Sequence, residues 1–221
     1  MKAVVPMMRS RRSCCHTSPH HLINPSPLLP SSVPPLLLLF LQVDGDKITM
    51  TVKPMENSCK ISSTQTYTEG RFEIKMKSAS KMPGVITAIY LASGEGRKGD
   101  EQLGDQDEID FEFKGNEPTS VQTNVFLSGV EDLKIIDMGK DTSAEAHAYA
   151  IEWDAATINF FIDNENVRTV ASGRALKPLK LSMSVWTTVG GWPGLKKWAG
   201  ETNWDGQAEI SAEIEVVSLP K

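Results

Sequence analysis

Three acidic residues spaced two apart are the part of this chain whose types and spacing could do chemistry. Glu108, Asp110 and Glu112 lie in the segment Asp107–Phe113, where they alternate with apolar residues. Alternate side chains of a β-strand point to opposite faces, so a strand here would place three carboxyls in a row about 6.6 Å apart. Like charges at that spacing raise the pKa of at least one member. The residues predicted to face the core are Ile109, Phe111 and Phe113.

This acidic row has two interpretations. It is either the solvated face of an ordinary strand, or a carboxylate set that acts on a glycosidic bond. In the second case, one carboxyl must stay protonated to donate a proton, while another stays ionised to attack the sugar or to activate water. Asp110, in the middle, would hold the pKa values of the outer two apart. The heptapeptide alone leaves both interpretations open.

Short strands are the elements that must position these acids. From residue 44 onward the chain is a series of short segments in which polar and apolar residues alternate, separated by turn-forming residues. Such a pattern predicts an all-β protein, a sandwich or jelly roll in a single domain. The loop 154–156 predicts a hairpin, and the glycine-rich segment 189–200 is interpreted as a loop. The predicted strands are 48–52, 71–77, 85–92, 107–113, 120–126, 147–153, 157–162, 167–171, 179–185 and 208–216.

Residues 1–43 differ from the rest in composition. They contain seven of the 13 prolines and several serine clusters, which predicts disorder and puts the domain at residues 44–221. The apolar run Leu36–Leu41 is too short to span a bilayer. Two explanations stay open for this segment: the hydrophobic part of a secretory signal, or a mis-joined piece of the gene.

Charge and cysteine content exclude several classes of protein. The formal charge is −5, and residues 44–221 carry 19 basic against 28 acidic residues, a net of −9. A domain this acidic is a poor partner for nucleic acid, whereas a neutral polysaccharide carries no such penalty. The three cysteines and four histidines show no metal-ligand spacing and no disulfide framework, so we expect no metal and no cofactor. We also expect a monomer without a transmembrane segment.

Tryptophans are candidates for contact with a ligand. Large aromatic rings near glycine-rich loops either cap the core or form platforms for a flat ligand. Trp186 has the same strand parity as Ser182 and Ser184, which places it on a polar face. The tryptophans in this region are Trp186, Trp192, Trp198 and Trp204.

Several other polar and aromatic residues have two interpretations. Gln122 and Asn124 share one face of their strand; if that strand pairs with the acidic one, their amides contact a sugar or orient a carboxylate, and otherwise they are ordinary surface polarity. Arg71 is either a solvated partner of a neighbouring acid or a substrate contact. We predict a core position for Trp153 and Tyr90, and a structural or exposed role for His147.

The segment Asp107–Phe113 resembles the active-site strand of glycoside hydrolase family 16, whose motif reads E-x-D-x-E. Its spelling is most similar to plant xyloglucan endotransglucosylases and fungal cell-wall chitin–glucan transglycosylases. Further matches run in the same order along the chain, over roughly residues 44–220. They are 70–73, 83–85, 121–126, 149–153, 161–163 and 198–200, followed by Trp204.

The resemblance implies a concanavalin-like β-jelly roll with a cleft on its concave sheet, and a retaining reaction through a glycosyl-enzyme. It implies that Glu108 is the nucleophile, Glu112 the general acid/base and Asp110 the residue that assists Glu108. Gln106 stands where the plant enzymes usually have His. Residues 1–43 do not resemble the strands that open the family's domain, so one expectation is that N-terminal strands are missing.

These observations together predict a secreted enzyme of the cell wall. It would cleave a β-linked glucan within the chain and pass the glycosyl group to water or to another sugar. The alternatives are a non-catalytic, lectin-like sandwich that binds carbohydrate, and a fragment that folds poorly. The predicted substrate contacts are Gln122, Asn124, Trp186, Trp192, Trp198 and Arg71.

Overall fold

The computed structural model describes residues 8–10, 41–55, 58–94 and 104–220, and regular structure within these ranges is almost all antiparallel strand. The helix α1 spans Pro193–Ala199. The strands are β1 Met8–Ser10, β2 Leu41–Asp44, β3 Lys47–Val52, β4 Ser58–Ser63, β5 Gly70–Lys77, β6 Val85–Ala92, β7 Glu108–Lys114, β8 Ser120–Leu127, β9 Val130–Asp137, β10 His147–Trp153, β11 Thr157–Ile162, β12 Glu165–Ala171, β13 Lys180–Thr187 and β14 Ile210–Ser218.

The strands form two seven-stranded sheets that pack face to face. The first sheet has the order β1-β4-β13-β6-β7-β8-β9, and the second has the order β12-β11-β10-β5-β14-β3-β2. Sequential strands are therefore divided between the layers, as in a jelly roll, and one hydrophobic core lies between them. The predicted all-β sandwich is confirmed.

The acidic strand β7 lies inside the first sheet, with its apolar residues in the core. Phe111 and Phe113 are fully buried. Phe111 meets Phe160 of the second sheet edge-on at a centroid distance of 5.2 Å, and Phe113 meets Tyr149 in the same way at 4.8 Å. Edge-to-face contacts of this kind stabilise aromatic pairs beyond the area they bury. This aromatic layer holds β7 against the opposite sheet.

Four strands of the described fold were not among the predicted ones: β1, β2, β4 and β9. The sequence of β9 does not alternate, and nearly all of its residues are exposed because it is an edge strand. Its signal was the two-residue turn Ser128-Gly129, whose φ angles of 51° and 78° fit the tight hairpin between β8 and β9. The missed strand β4 is a partner of β13.

The segment 189–200 is only in part the predicted loop, because it contains α1. Pro193 at the first helical turn and Gly200 at the C-terminal end, with φ of 83°, are the residues that start and stop this helix. A Cβ at position 200 would lie 2.7 Å from the Cβ of Pro83. Glycine therefore lets the end of α1 approach the loop before β6.

The predicted domain boundary at residue 44 falls inside β2. Leu41 pairs with Met50 and Val43 with Ile48, so this part of the chain adds an edge strand to the second sheet. Residues Met8–Ser10 pair with β4 at the edge of the first sheet. The rest of the segment 1–43, residues 1–7 and 11–40, lies outside the described residues.

No helix in the described ranges combines the length and the apolar character that crossing a bilayer requires.

Candidate active site

The three acids of β7 share the face of the first sheet that points away from the core. We call it the carboxylate face. Each acid has one directly opposite neighbour on β6 and one on β8, whose Cβ atoms are typically about 5 Å away. From one end of the row to the other, these neighbours are Ala92 and Phe126 for Glu108, Tyr90 and Asn124 for Asp110, and Ala88 and Gln122 for Glu112.

The neighbours on β6 make room beside both glutamates. Ala88 and Ala92 each expose 4% of their surface and extend no further than a methyl group above the sheet. Tyr90 also lies on this face, so its predicted core position is wrong. The reason is that β6 is apolar on both faces, and periodicity cannot assign a face to such a run. Lys60 Nζ lies over the Tyr90 ring, 5.0 Å from its centroid.

Burial and mutual repulsion keep protons on this row. Burial is the main cause that raises the pKa of Asp110 well above its ordinary value, and the charges of Glu112, Glu108 and Glu131 add to it. Burial and the charge of Glu108 raise the pKa of Glu112 to about 7, although Lys114 acts in the opposite direction. Near neutral pH, Glu112 is therefore poised both to donate and to accept a proton.

The raised pKa of Glu112 predicts a basic limb in the pH dependence of any reaction that needs its proton. The acid is protonated below its pKa, so kcat/KM should fall as pH rises through about 7. A pH series of initial rates on a soluble polysaccharide measures this limb. A rate that stays level up to pH 9 would contradict the assignment of Glu112 as the proton donor.

Two stacked indoles, Trp186 and Trp198, lie at one end of the acid row, and we call this pair the tryptophan wall. Trp198 on α1 stacks on Trp186 of β13, with ring centroids 6.0 Å apart and an interplanar angle of 16°. Trp198 Nε1 donates a hydrogen bond of 3.1 Å to Gln122 Oε1, and Gln122 lies opposite Glu112. Three of the predicted substrate contacts are thus brought together at Glu112. Their contact with a sugar stays a prediction.

Asn124 is brought to Asp110, but its amide is largely occupied by the protein. Its Nδ2 donates to Glu131 Oε1 at 2.8 Å, and its Oδ1 accepts from Val125 N at 3.0 Å. One N–H remains for a ligand. The Glu131 carboxylate adds a further negative charge near the row.

The predicted substrate contact of Arg71 is wrong. Arg71 lies on β5 of the second sheet and pairs with Glu73 at 3.1 Å and Glu152 at 3.6 Å, so the core separates it from the carboxylates. Its ion pairs fit the alternative interpretation, a solvated partner of neighbouring acids.

The other tryptophans have different positions. Trp192 is the N-cap residue of α1, and its contact with a sugar stays a prediction. Trp204 packs against the core, and Trp153 is buried there as predicted.

An ion pair between a buried carboxylate and a partly exposed arginine, which sequence reasoning missed, fixes the start of β7. The side chain of Asp107 is fully buried, and Arg174 binds both of its oxygens, at 2.5 and 2.9 Å. The backbone N–H groups of Ser128 and Lys177 donate to the same carboxylate at 3.0 and 2.9 Å. Burial alone would raise the pKa of Asp107, but these hydrogen bonds and the Arg174 charge outweigh it, and the pKa is lowered. Asp107 stays ionised, and its hydrogen bonds fix the position of the chain immediately before Glu108.

The fold and the acid row together define an all-β jelly-roll protein with a candidate glycoside-cleaving face. Comparison with known proteins agrees. The family model described as "Glycosyl hydrolases family 16" matches residues 40–211. The chain therefore belongs to family 16 of the glycosyl hydrolases.

One bacterial and one plant relative illustrate the match. A beta-glucanase of Brevibacillus brevis is 34% identical over 140 residues, covering 62% of this chain and 52% of that protein. A probable xyloglucan endotransglucosylase/hydrolase of Arabidopsis thaliana is 32% identical over 156 residues, covering 67% and 51%. The Bacillus licheniformis beta-glucanase structure superposes with a TM-score of 0.65 at 26% identity, over 81% of this chain and 82% of that one. The chain spans about half the length of these curated relatives.

Proposed function

We propose that this protein is a retaining, endo-acting glycosidase or transglycosylase of β-linked cell-wall glucans. The observation that carries the proposal is a glutamate with a pKa of about 7, Glu112, on the same strand face as a second glutamate, Glu108. Family membership and the beta-glucanase and xyloglucan endotransglucosylase relatives support the substrate class. Action outside the cell, at the cell wall, is part of the same proposal.

In the proposed reaction, Glu108 attacks the anomeric carbon while Glu112 protonates the departing glycosidic oxygen. The resulting glycosyl-enzyme is then attacked by water or by a sugar hydroxyl, from which Glu112 takes the proton. Asp110, protonated and buried between them, donates a hydrogen bond toward Glu108 in its ionised form. A retaining pair needs carboxyls about 5–5.5 Å apart, so both glutamates must lean together. The effect of the Glu108 charge on the pKa of Glu112 supports that proximity.

The tryptophan wall is proposed to hold sugar rings next to Glu112. An indole face binds the apolar face of a pyranose, and Gln122 offers an amide N–H to a hydroxyl. A wall that excludes water at this end favours transfer to a sugar acceptor over hydrolysis. The similarity to a xyloglucan endotransglucosylase/hydrolase supports the same preference.

Incubation with unlabelled β-glucan and a fluorescent oligosaccharide tests the reaction. We expect the label to enter high-molecular-mass polymer, because an acceptor hydroxyl competes with water for the glycosyl-enzyme. Size-exclusion chromatography with fluorescence detection measures this incorporation. Chain shortening without incorporation would rule out transfer and leave hydrolysis.

A lectin-like sandwich is the competing function, and it makes a different prediction. A lectin would bind the polysaccharide, form no new reducing ends, and keep its affinity in the Glu108→Gln and Glu112→Gln variants. Burial disfavours the ionised forms of Asp110 and Glu112, and a lectin has no use for two such carboxyls. Reducing-end release by the unmodified chain would exclude it.

A further inference from the structure

Lys114 is the only lysine among the described residues whose side chain is buried. It is the last residue of β7 and has the same strand parity as Glu112, which places it on the carboxylate face. Its opposite neighbour on β6 is Ile86, which in turn lies opposite Trp186 of β13. Burying an ammonium group is costly unless it is paired and hydrogen bonded, so its contacts indicate what it does.

The contacts of the Lys114 ammonium converge on Trp198. Nζ lies 5.2 Å from the centroid of the Trp198 ring and donates to the Trp198 carbonyl oxygen at 3.3 Å. It also pairs with Glu117 Oε1 at 2.9 Å. Asn116 Nδ2 donates to the same Trp198 carbonyl at 3.1 Å. That carbonyl belongs to the last turn of α1, where positive charge and donors are favoured.

We propose that Lys114 is a positioning residue for the reaction: its ammonium group holds Trp198, and through Trp198 the side-chain amide of Gln122, at the Glu112 end of the acid row. The inference rests on the proposed function and deepens it. If Lys114 only closed the turn after β7, its ion pair with Glu117 would be enough. Its Nζ is also buried against the Trp198 ring and carbonyl, and a turn ion pair does not need those contacts.

The hydrogen bond from Trp198 decides how Gln122 presents its amide. Indole Nε1 is a donor only, so the Gln122 atom that faces it must be the oxygen. The amide nitrogen therefore faces away from Trp198, where its N–H groups can reach a ligand hydroxyl or Glu112. Release of Trp198 would leave this amide free to rotate.

Lys114 also acts on Glu112 by charge. It is the cation that lowers the pKa of Glu112, so its removal should move the basic limb of the pH profile to higher pH. Burial and the remaining acids then act on Glu112 without this opposing charge. The titratable and charged groups that face Glu112 from the packed strands are Glu108, Asp110 and Lys114 on β7, Glu131 on β9, Tyr90 on β6 and Lys60 on β4.

The test replaces Lys114 with Met and follows the Trp198 indole N–H by NMR, assigned with a Trp198→Phe variant. We expect this proton to exchange at least about tenfold faster in Lys114→Met, because a charged hydrogen bond and a cation–π contact are lost. We expect kcat/KM to fall about tenfold to a hundredfold, since small misplacements of binding groups have that effect. The basic limb should move upward in pH. Lys114→Arg should retain part of each property.

Three variants serve as controls. Lys77→Met removes a lysine that pairs with Glu213 on the second sheet at 3.8 Å, and should change none of the three readouts. Glu117→Gln should leave the indole exchange near that of the unmodified chain. Asn116→Ala, which keeps the buried charge, should speed the exchange less than Lys114→Met does, and it tests the hold on the carbonyl if Lys114→Met does not fold.

The proposal is overturned if Lys114→Met leaves the indole exchange unchanged, or if Glu117→Gln reproduces its effects. The second result would reduce Lys114 to a turn ion pair. Absence of activity in the unmodified chain would sink the proposed reaction, while the exchange measurement would still decide whether Lys114 holds Trp198.

Discussion

Replacement of Glu112 by Gln is expected to lower kcat on polysaccharide by about 10²–10⁴-fold, the range that a positioned proton donor contributes. Replacement of Glu108 by Gln should reduce it at least as much, because no glycosyl-enzyme can form. Both variants should remain folded. The pKa of Glu112 rises from 4.5 to about 7 on folding, so the need to keep this group protonated destabilises the native state as pH rises through that range. A neutral amide at this position removes that effect. Glu112→Gln should therefore not lower the melting temperature at neutral pH.

Azide separates the two roles. With an aryl β-oligoglucoside, whose leaving group needs no protonation, azide should attack the glycosyl-enzyme of Glu112→Gln and give a β-glycosyl azide. In Glu108→Ala, azide should occupy the space of the lost carboxylate and give the α-anomer. The matched control is Glu215→Gln, the same change on the exposed outer side of β14, which should keep full activity. Identical anomers from these two variants would contradict the assignment.

Replacement of Arg174 by Ala is expected to destabilise the protein by about 3 kcal/mol. The change leaves the buried Asp107 carboxylate with two backbone donors and no counter-charge, and breaking a buried pair in this way is strongly destabilising. Arg174 is itself 38% exposed, which places the loss at the lower end of the range for such pairs. Urea denaturation at pH 7 measures it.

The pH dependence and a matched arginine sharpen this second test. The pKa of Asp107 is below its ordinary value of 3.8 in the folded state, so its stabilisation is present above that value and is lost as pH falls through the lower, folded pKa. The difference between Arg174→Ala and the unmodified protein should therefore shrink below about pH 3.8. Arg71→Ala, which breaks partly exposed pairs on the second sheet, should cost less than about 1 kcal/mol. Equal losses in the two variants would show that the Asp107 pair has no special role.

Strand parity carried most of what could be predicted from the sequence. A period of two placed the acids of β7 on one face and Phe111 in the core, and it put Gln122 on the face it occupies next to Glu112. These are local consequences of pleating, which the sequence encodes directly. Parity failed at Tyr90 because both faces of β6 are apolar. It failed at β9 because an edge strand has little buried surface to impose a pattern.

Contacts between residues distant in the chain could not be read from the sequence. Arg174 reaches Asp107 across 67 positions, and Lys114 reaches Trp198 across 84. Neither pair has a spacing that marks it, because the sheet order and the loop before β13 bring them together. The sequence offered only an indirect signal for the second pair. Pro193 and Gly200 mark the start and the end of the short helix that contains Trp198.

The aromatic layer beneath β7 links the proposed catalytic carboxyls to the interior of the sandwich. Phe111 and Phe113 alternate with the acids on one strand, so a backbone shift that accommodates altered packing between the sheets also displaces the carboxyls. A misplacement near 1 Å is enough to cost about a hundredfold in rate. Substitutions deep in the hydrophobic interior can therefore abolish activity in a protein that still melts cooperatively. A screen that measures only thermal stability would not detect them.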